Sequence, residues 1–180
     1  MIAIDLVKAA KLIKNEGVVL HGTETVLGFC GLASSKVAAE KIKQLKGRDN
    51  EKGFIVLTNS IDAVRDWIQP LSAADKATLV QKKTPTTWLI KKSNTCPKHL
   101  TNTLITLAIR IPCHAQINAL IDEIGAPIIS TSANLSQRAS STDIHMTSHI
   151  FPSVPVLKPI QAMTGVASTI IDLSSQMIIR

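Results

Sequence analysis

Two groups of side chains in this sequence have the character of phosphate ligands. Lys46 and Arg48 stand on either side of Gly47. A guanidinium offers a planar fork to two phosphate oxygens and an ammonium a compact point charge, so the pair suits neutralisation of a polyphosphate. The second group is the run STSANLS at residues 130–136, rich in hydroxyl and amide donors. Taken alone, each has an ordinary explanation: a solvated basic helix end for Lys46 and Arg48, and a capped turn for Ser132 and Asn134. Arg110 is of another kind. It lies among aliphatic residues in 104–111, and a buried guanidinium needs an anion beside it. A ligand carboxylate would supply one.

Familiar nucleotide and nucleophile motifs are missing. Gly22, Gly28 and Gly31 have neither the spacing nor the lysine of GxxxxGK[ST]. GxGxxG and GxSxG do not occur either, which removes the dinucleotide-binding and α/β-hydrolase readings. His145 and His149 are four apart and could share a helix face, but no third metal ligand stands near them in sequence. A solvated helix face is the better reading. Cys113 and His114 are adjacent at a strand end, where side chains point apart, so they are poorly placed as a nucleophile and base.

The elements that must position these residues alternate along the chain. Leu6, Ala9, Ala10 and Ile13 recur at helical spacing over 5–16, with Gly17 placed to close the helix in a left-handed cap. Residues 18–20 read as a buried strand, followed by a polar loop around Thr23 and Glu24. Ser34 or Ser35 caps a helix with Val37, Ala38, Ile42 and Leu45 on one face, and Gly47 ends it. A strand is expected at 54–57, and helices at 61–68, closed by Pro70, and 72–83. Strands follow at 87–90 and 104–111, then a helix at 115–124 and a strand at 127–130 running into a turn at 131–136. A short helix at 143–150 and strands at 154–157, 169–173 and 177–179 complete the pattern. Such alternation predicts an α/β layer fold with a mixed sheet.

Composition sets the outer limits. At 180 residues, 45% of them hydrophobic, the chain can bury a core without disulfide or metal and is expected to form one domain. No apolar run approaches the ~20 residues that cross a bilayer. Asp5, Lys8, Lys11, Lys14 and Glu16 break up any leader-like segment, so neither membrane association nor export is expected. Three widely separated cysteines, Cys30, Cys96 and Cys113, suit a reducing, cytoplasmic setting. A net charge of +7 favours polyanionic partners, while two Trp, three Phe and no Tyr leave few rings on which to stack unpaired bases.

Three segments together carry a resemblance. VVLHGTETVLG at 18–28 followed by LKGR at 45–48, and STSANLS at 130–136, resemble the PTET...YGL, KxR and TSANLSG motifs of the YrdC-like family of threonylcarbamoyl-AMP synthases. TLAIRIP at 106–112, STIID at 168–172 and IIR at 178–180 are weaker matches in the same order. Lone KxR is nearly worthless as a signal, but the combination spans almost the whole chain. The resemblance implies a twisted mixed sheet flanked by helices around a basic central cavity, in the short form without the extra C-terminal domain. It implies condensation of L-threonine, bicarbonate or CO2 and ATP into threonylcarbamoyl-adenylate and pyrophosphate, for tRNA modification. Lys46, Arg48, Ser132 and Asn134 would then be catalytic. Arg48, Lys52, Thr106, Ser132, Ser140 and Arg180 would contact ATP, and Thr23, Arg110 and Ser168 would hold threonine. Mg2+ would ride on the triphosphate rather than in a protein cage, and a downstream threonylcarbamoyl-transfer complex, with tRNA as a further partner, would consume the product.

The chain departs from the family pattern in places. His21-Gly22 replaces Tyr-Pro, Leu27 replaces an aromatic residue, Gln137 replaces Gly, and Lys82-Lys83-Thr84-Pro85 replaces Trp-Pro-Gly-Pro. Gly22 predicts a looser loop and Gln137 a different turn, since glycine has more backbone freedom than any other residue. The departures at His21-Gly22 and Gln137 motivate a second reading, a non-catalytic module of the same fold binding tRNA or double-stranded RNA, and a third is a transferase acting on a carbamoyl group of another substrate. Pyrophosphate release with each substrate omitted in turn separates the first two, and substituting other amino acids or carbamoyl phosphate in that assay separates the third.

Overall fold

The computed structural model describes residues 1–47, 53–81, 84–135 and 139–180, with Val80 and Gln81 described by backbone alone. Arg48, Lys52, Lys82, Lys83, Ser136 and Gln137 therefore lie outside the described residues. The elements are β1 (Ala3–Ile4), α1 (Leu6–Lys14), β2 (Val19–Gly22), β3 (Leu27–Leu32), α2 (Lys36–Lys46), β4 (Ile55–Leu57), a 3-10 helix (Ile61–Trp67) and α3 (Ala73–Gln81). They continue with β5 (Thr86–Lys91), α4 (Lys98–Thr101), β6 (Thr106–Arg110), α5 (Ala115–Ile124), β7 (Ile128–Ser132), α6 (Ile144–Ile150), β8 (Val156–Leu157) and β9 (Thr169–Asp172). Among the described residues the strands form one sheet in the order β1-β8-β2-β3-β7-β4-β6-β5-β9. Parallel pairs (β1 with β8, β2 with β8, β4 with β6, β5 with β9) mix with antiparallel ones, as the alternation of elements predicts.

Both faces of the central strands are buried. On β2, Leu20 faces one apolar cluster and Val19 the other; on β3, Phe29 and Cys30 divide the same way, as do Ile129 and Ile128 on β7. Side chains on a strand point to opposite faces in turn, so a strand covered on both sides reads as continuously apolar rather than alternating. This is why β3, LGFCGL, was not expected as a strand: it has no polar period and two glycines. One cluster lies under α1 and α5, which pack on each other through Ala9, Ala10, Ile13, Ile117, Leu120 and Ile121. The other lies under α2 and α4, where Phe29 and Phe151 meet edge to face with ring centroids 4.8 Å apart.

Several ends differ from expectation. α1 closes in a Schellman arrangement, Glu16 N–H donating to the Ile13 carbonyl at 3.0 Å and Gly17 N–H to that of Leu12 at 2.8 Å. The left-handed residue is Glu16, with φ 58°, and not Gly17. Glu16 is held there by Ser35 Oγ, 2.7 Å from its carboxylate, and by Lys41 Nζ, 3.0 Å from its carbonyl. Gly17 is needed instead for close approach, because a Cβ there would meet the Leu12 carbonyl oxygen at 2.7 Å. Ser35 caps α2 and Gly47 ends it at φ 55°, but Val37 faces solvent rather than the core. Residues 61–67 wind as a 3-10 helix, and 177–179 form no strand, only a bridge from Ile178 to Ile171. The expected turn at 131 begins later, since Thr131 and Ser132 still pair with Phe29 and Gly28. β1 and α4 were too short to leave a pattern. No helix among the described residues is long and apolar enough to cross a membrane.

Gly22 also corrects an expectation. It ends β2, pairs with Leu27 and is buried, so it does not loosen the loop. A Cβ there would lie 2.7 Å from Pro159 Cγ and 2.9 Å from Pro159 Cβ, a rigid ring that cannot turn aside. Gly22→Ala is accordingly expected to destabilise the fold by about 1–3 kcal/mol through overpacking, read as a lowered midpoint of urea unfolding with unchanged slope.

Candidate functional site

A cavity of about 460 Å³ lies over the sheet, lined by alternate residues of β4 (Ile55, Leu57) and β6 (Thr106, Ala108, Arg110), within the usual size range of small-molecule sites. Every predicted site residue within the described part of the chain lines it. Lys46, Ser132 and Asn134 form one wall; Thr106, Ser140 and Arg180 belong to the same lining; Thr23, Arg110 and Ser168 do as well. Its charged lining residues are Lys46, Arg110 and Arg180, and among the described residues the lining has no Asp, Glu, His or Cys.

The first wall is built around Lys46. The caps of α2 fix where this residue, the last of the helix, leaves the helix axis. Although a lysine, it is only 5% exposed. Its ammonium turns back on the loop after β7, donating to the carbonyl of Ser132, to the carbonyl of Asn134 at 2.9 Å and to Asn134 Oδ1 at 2.8 Å. Ser132 Oγ donates to the same Oδ1 at 2.6 Å. An ammonium has three donors, and these contacts engage all of them. Lys46 therefore acts on the site first by shaping the loop that carries Ser132 and Asn134, and its charge lies under that loop.

Other elements bring up the remaining side chains. Leu27 N–H donates to the Ser141 carbonyl at 3.0 Å, which ties the segment carrying Ser140 to β3. Ser168, just before β9, shares a hydrogen bond of 2.8 Å with Thr87 at the start of β5, and its carbonyl accepts from Arg180 Nη2 at 3.2 Å. Thr23 and Thr25, in the turn between β2 and β3, join through their hydroxyls at 2.7 Å.

Arg110 ends β6, 4% exposed. Its buried guanidinium has an anion within the chain itself: Glu24 Oε1 lies 2.5 Å from Arg110 Nη2, and Nη1 donates to Thr25 Oγ1 at 3.5 Å. The Glu24 contact is one of charges rather than of aligned hydrogen bonds. Both Glu24 oxygens and the Nε and Nη2 of Arg110 are buried with no hydrogen-bond partner among the described residues. Glu24 was not expected as a functional residue. No local signal marks it, because the turn on which it stands is bounded by β3, which does not read as a strand, and its cation lies on β6.

Two imidazoles, also unanticipated, stand behind this pair. His21, fully buried in β2, lies opposite Gly28 of β3 and reaches past it to Ser130 Oγ on β7 at 3.1 Å. Gly28 is the opening for that reach, as a Cβ there would meet His21 Nε2 at 3.1 Å and Ser130 Oγ at 3.2 Å. His114 caps α5, its Nδ1 accepting from Ile117 N–H at 3.4 Å. Burial pushes the His21 imidazole down to about 4, with the neighbouring His114 and Arg110 adding to the depression. Burial likewise lowers His114, Arg110 again contributing and Glu24 opposing. Both rings are neutral near pH 7. Elsewhere, His145 and His149 are exposed on α6, and no group of three or more metal-ligating side chains is found among the described residues.

Residues 11–180 match the sequence profile of the Sua5, YciO and YrdC proteins, which bears the description telomere recombination. The threonylcarbamoyl-AMP synthase of Xanthomonas axonopodis pv. citri is 34% identical over 137 residues, covering 74% of this chain and 73% of that protein. That of Nitrosococcus oceani is 35% identical over 131 residues, covering 72% and 71%. The crystal structure of P. abyssi Sua5 complexed with L-threonine has a TM-score of 0.87 and 26% identity, covering 96% of this chain. This chain spans 54% of that protein's length. E. coli YciO has the same fold, with a TM-score of 0.81 at 17% identity over 99% of this chain and 92% of that one.

The depressed His21 generates a pH dependence with a definite sign. Folded, the ring titrates at about 4; unfolded, it would titrate at its ordinary 6.5, so unfolding takes up a proton between these values. Stability is full above the upper value and declines as pH falls toward the lower one, by at most ~1.4 kcal/mol per pH unit. Urea unfolding at about pH 7 and about pH 5 should register this decline, and His21→Gln should reduce it, leaving the share that the likewise depressed His114 contributes.

Proposed function

Because the chain belongs to the Sua5/YciO/YrdC family, we propose that it is a threonylcarbamoyl-AMP synthase, condensing L-threonine, bicarbonate or CO2 and ATP. One observation carries the reading: hydroxyl, amide and cationic side chains from segments far apart in sequence converge on one cavity, as gripping a triphosphate beside an amino acid requires. The names of the relatives and the threonine bound in P. abyssi Sua5 point the same way.

The chemistry needs no protein nucleophile. The threonine amine attacks the carbon of CO2 and loses a proton, giving a carbamate. A carbamate oxygen then bonds to the α-phosphorus as the bond from that phosphorus to the bridging oxygen breaks, and pyrophosphate leaves. The protein's task is to align the two substrates and offset charge on the leaving phosphates. In this proposal the threonine carboxylate sits against Arg110, with the hydroxyls of Thr23 and Ser168 around the rest of the amino acid. Phosphates lie along the loop that Lys46 holds, contacting Ser132 and Asn134, with Thr106, Ser140 and Arg180 further out. Arg48 and Lys52, outside the described residues, complete the cationic set.

The donors lining the cavity fit Mg2+ only as part of its nucleotide complex. Hydroxyls, amides and cations suit phosphate oxygens, whereas a protein cage for Mg2+ would call for carboxylates. Bound to the triphosphate, the ion would neutralise charge there. The adenylate is a reactive mixed anhydride, so a downstream threonylcarbamoyl-transfer complex acting on tRNA would take it up, in the cytoplasm.

Pyrophosphate release that requires threonine, bicarbonate and ATP together is the expected result; release without threonine would overturn the assignment. Lys46→Ala should lower that release by about 10²-fold or more, since it removes both a charge and the scaffold of the Ser132–Asn134 loop, while far-UV circular dichroism stays native. Full activity in a folded Lys46→Ala protein would refute its role.

A further inference from the structure

The charge balance beneath the amino acid end of the cavity goes beyond a seat for a carboxylate. Arg110 lines the cavity, but its cation is already matched by Glu24, 2.5 Å away. Glu24 is not part of the cavity lining, and both its oxygens are shut off from solvent. The turn on which it stands nevertheless presents Thr23 and Thr25 to the cavity on either side. His21 and His114, close enough to feel both charges, are neutral near pH 7 and leave the balance unchanged. The floor is thus a buried dipole with no net charge.

Such a floor treats ligands differently from a lone arginine. A plain carboxylate docking on Arg110 gains from the guanidinium but is repelled by the carboxylate just behind it, in a setting where water screens little. A ligand carrying an ammonium two bonds from its carboxylate gains from both ends of the dipole.

Resting on the function proposed above, we infer that Glu24 makes this end of the cavity select a zwitterionic α-amino acid over a plain carboxylate. Glu24 does so without touching the substrate, by orienting Arg110 and by its field. It is a positioning and selectivity residue rather than a catalytic one.

The test measures binding of L-threonine and of 3-hydroxybutyrate, which is threonine without its amine, by calorimetry on the full chain. The unaltered protein should bind threonine about tenfold or more tightly than 3-hydroxybutyrate. Glu24→Gln should shrink that ratio severalfold by weakening threonine and strengthening 3-hydroxybutyrate, whereas Glu24→Asp, which keeps the charge, should preserve it. An unchanged ratio in folded Glu24→Gln, or equal binding of both ligands by the unaltered protein, overturns the inference. Should Glu24→Gln not fold, the ratio in the unaltered protein decides. Threonine-dependent pyrophosphate release alongside an unaltered ratio would sink this inference alone. A protein that neither binds threonine nor releases pyrophosphate would sink the parent reading with it.

Discussion

The hold of the Lys46 ammonium on the loop after β7 is the interaction on which the shape of the cavity depends. It joins the end of α2 to the end of β7, elements separated by much of the sequence, and buries a cation among carbonyl and amide oxygens. A buried ammonium is tolerated only when its donors are engaged. The loop conformation that presents Ser132 and Asn134 therefore also solvates Lys46. Loop and lysine stabilise one another, and a site formed this way is organised before any substrate arrives.

The opposite end of the cavity follows the same rule with a different solution. Arg110 is neutralised by Glu24 rather than solvated by carbonyls, and the pair is set among rings that burial keeps uncharged. One end offers polar groups steadied by an internal cation, the other a cation and an anion in balance. This division matches the two chemical halves of the proposed reaction, a polyphosphate on one side and an amino acid on the other.

Much of this was legible in the sequence. A cap at Ser35 and a stop at Gly47 mark the ends of α2 through local backbone rules, and α2, α5 and α6 appear where expected. Lys46, Ser132 and Asn134, singled out by the KxR and SAN motifs, line the cavity. The unread parts have a common physical cause. β3 hides its strand character by being buried on both faces. Glu16 takes a glycine-like conformation because Ser35 and Lys41, distant in sequence, hold it there. Glu24, His21 and Gly28 owe their roles to partners across the sheet, and no local pattern encodes a pairing between strands that the chain order does not make adjacent.

The sheet order has a bearing on when the protein becomes competent during synthesis. Leu20 on β2 pairs with Val156 on β8, and β5 is flanked by β9, so the walls of the cavity need strands from both ends of the chain. Contacts between remote segments form late, after the loop-closure entropy between them has been overcome. A nascent polypeptide still threaded through the ribosome below β9 would possess Lys46 and Ser132 yet lack Ser168 and its hydrogen bond to Thr87. The cavity should therefore be complete only once β9 has emerged and paired with β5.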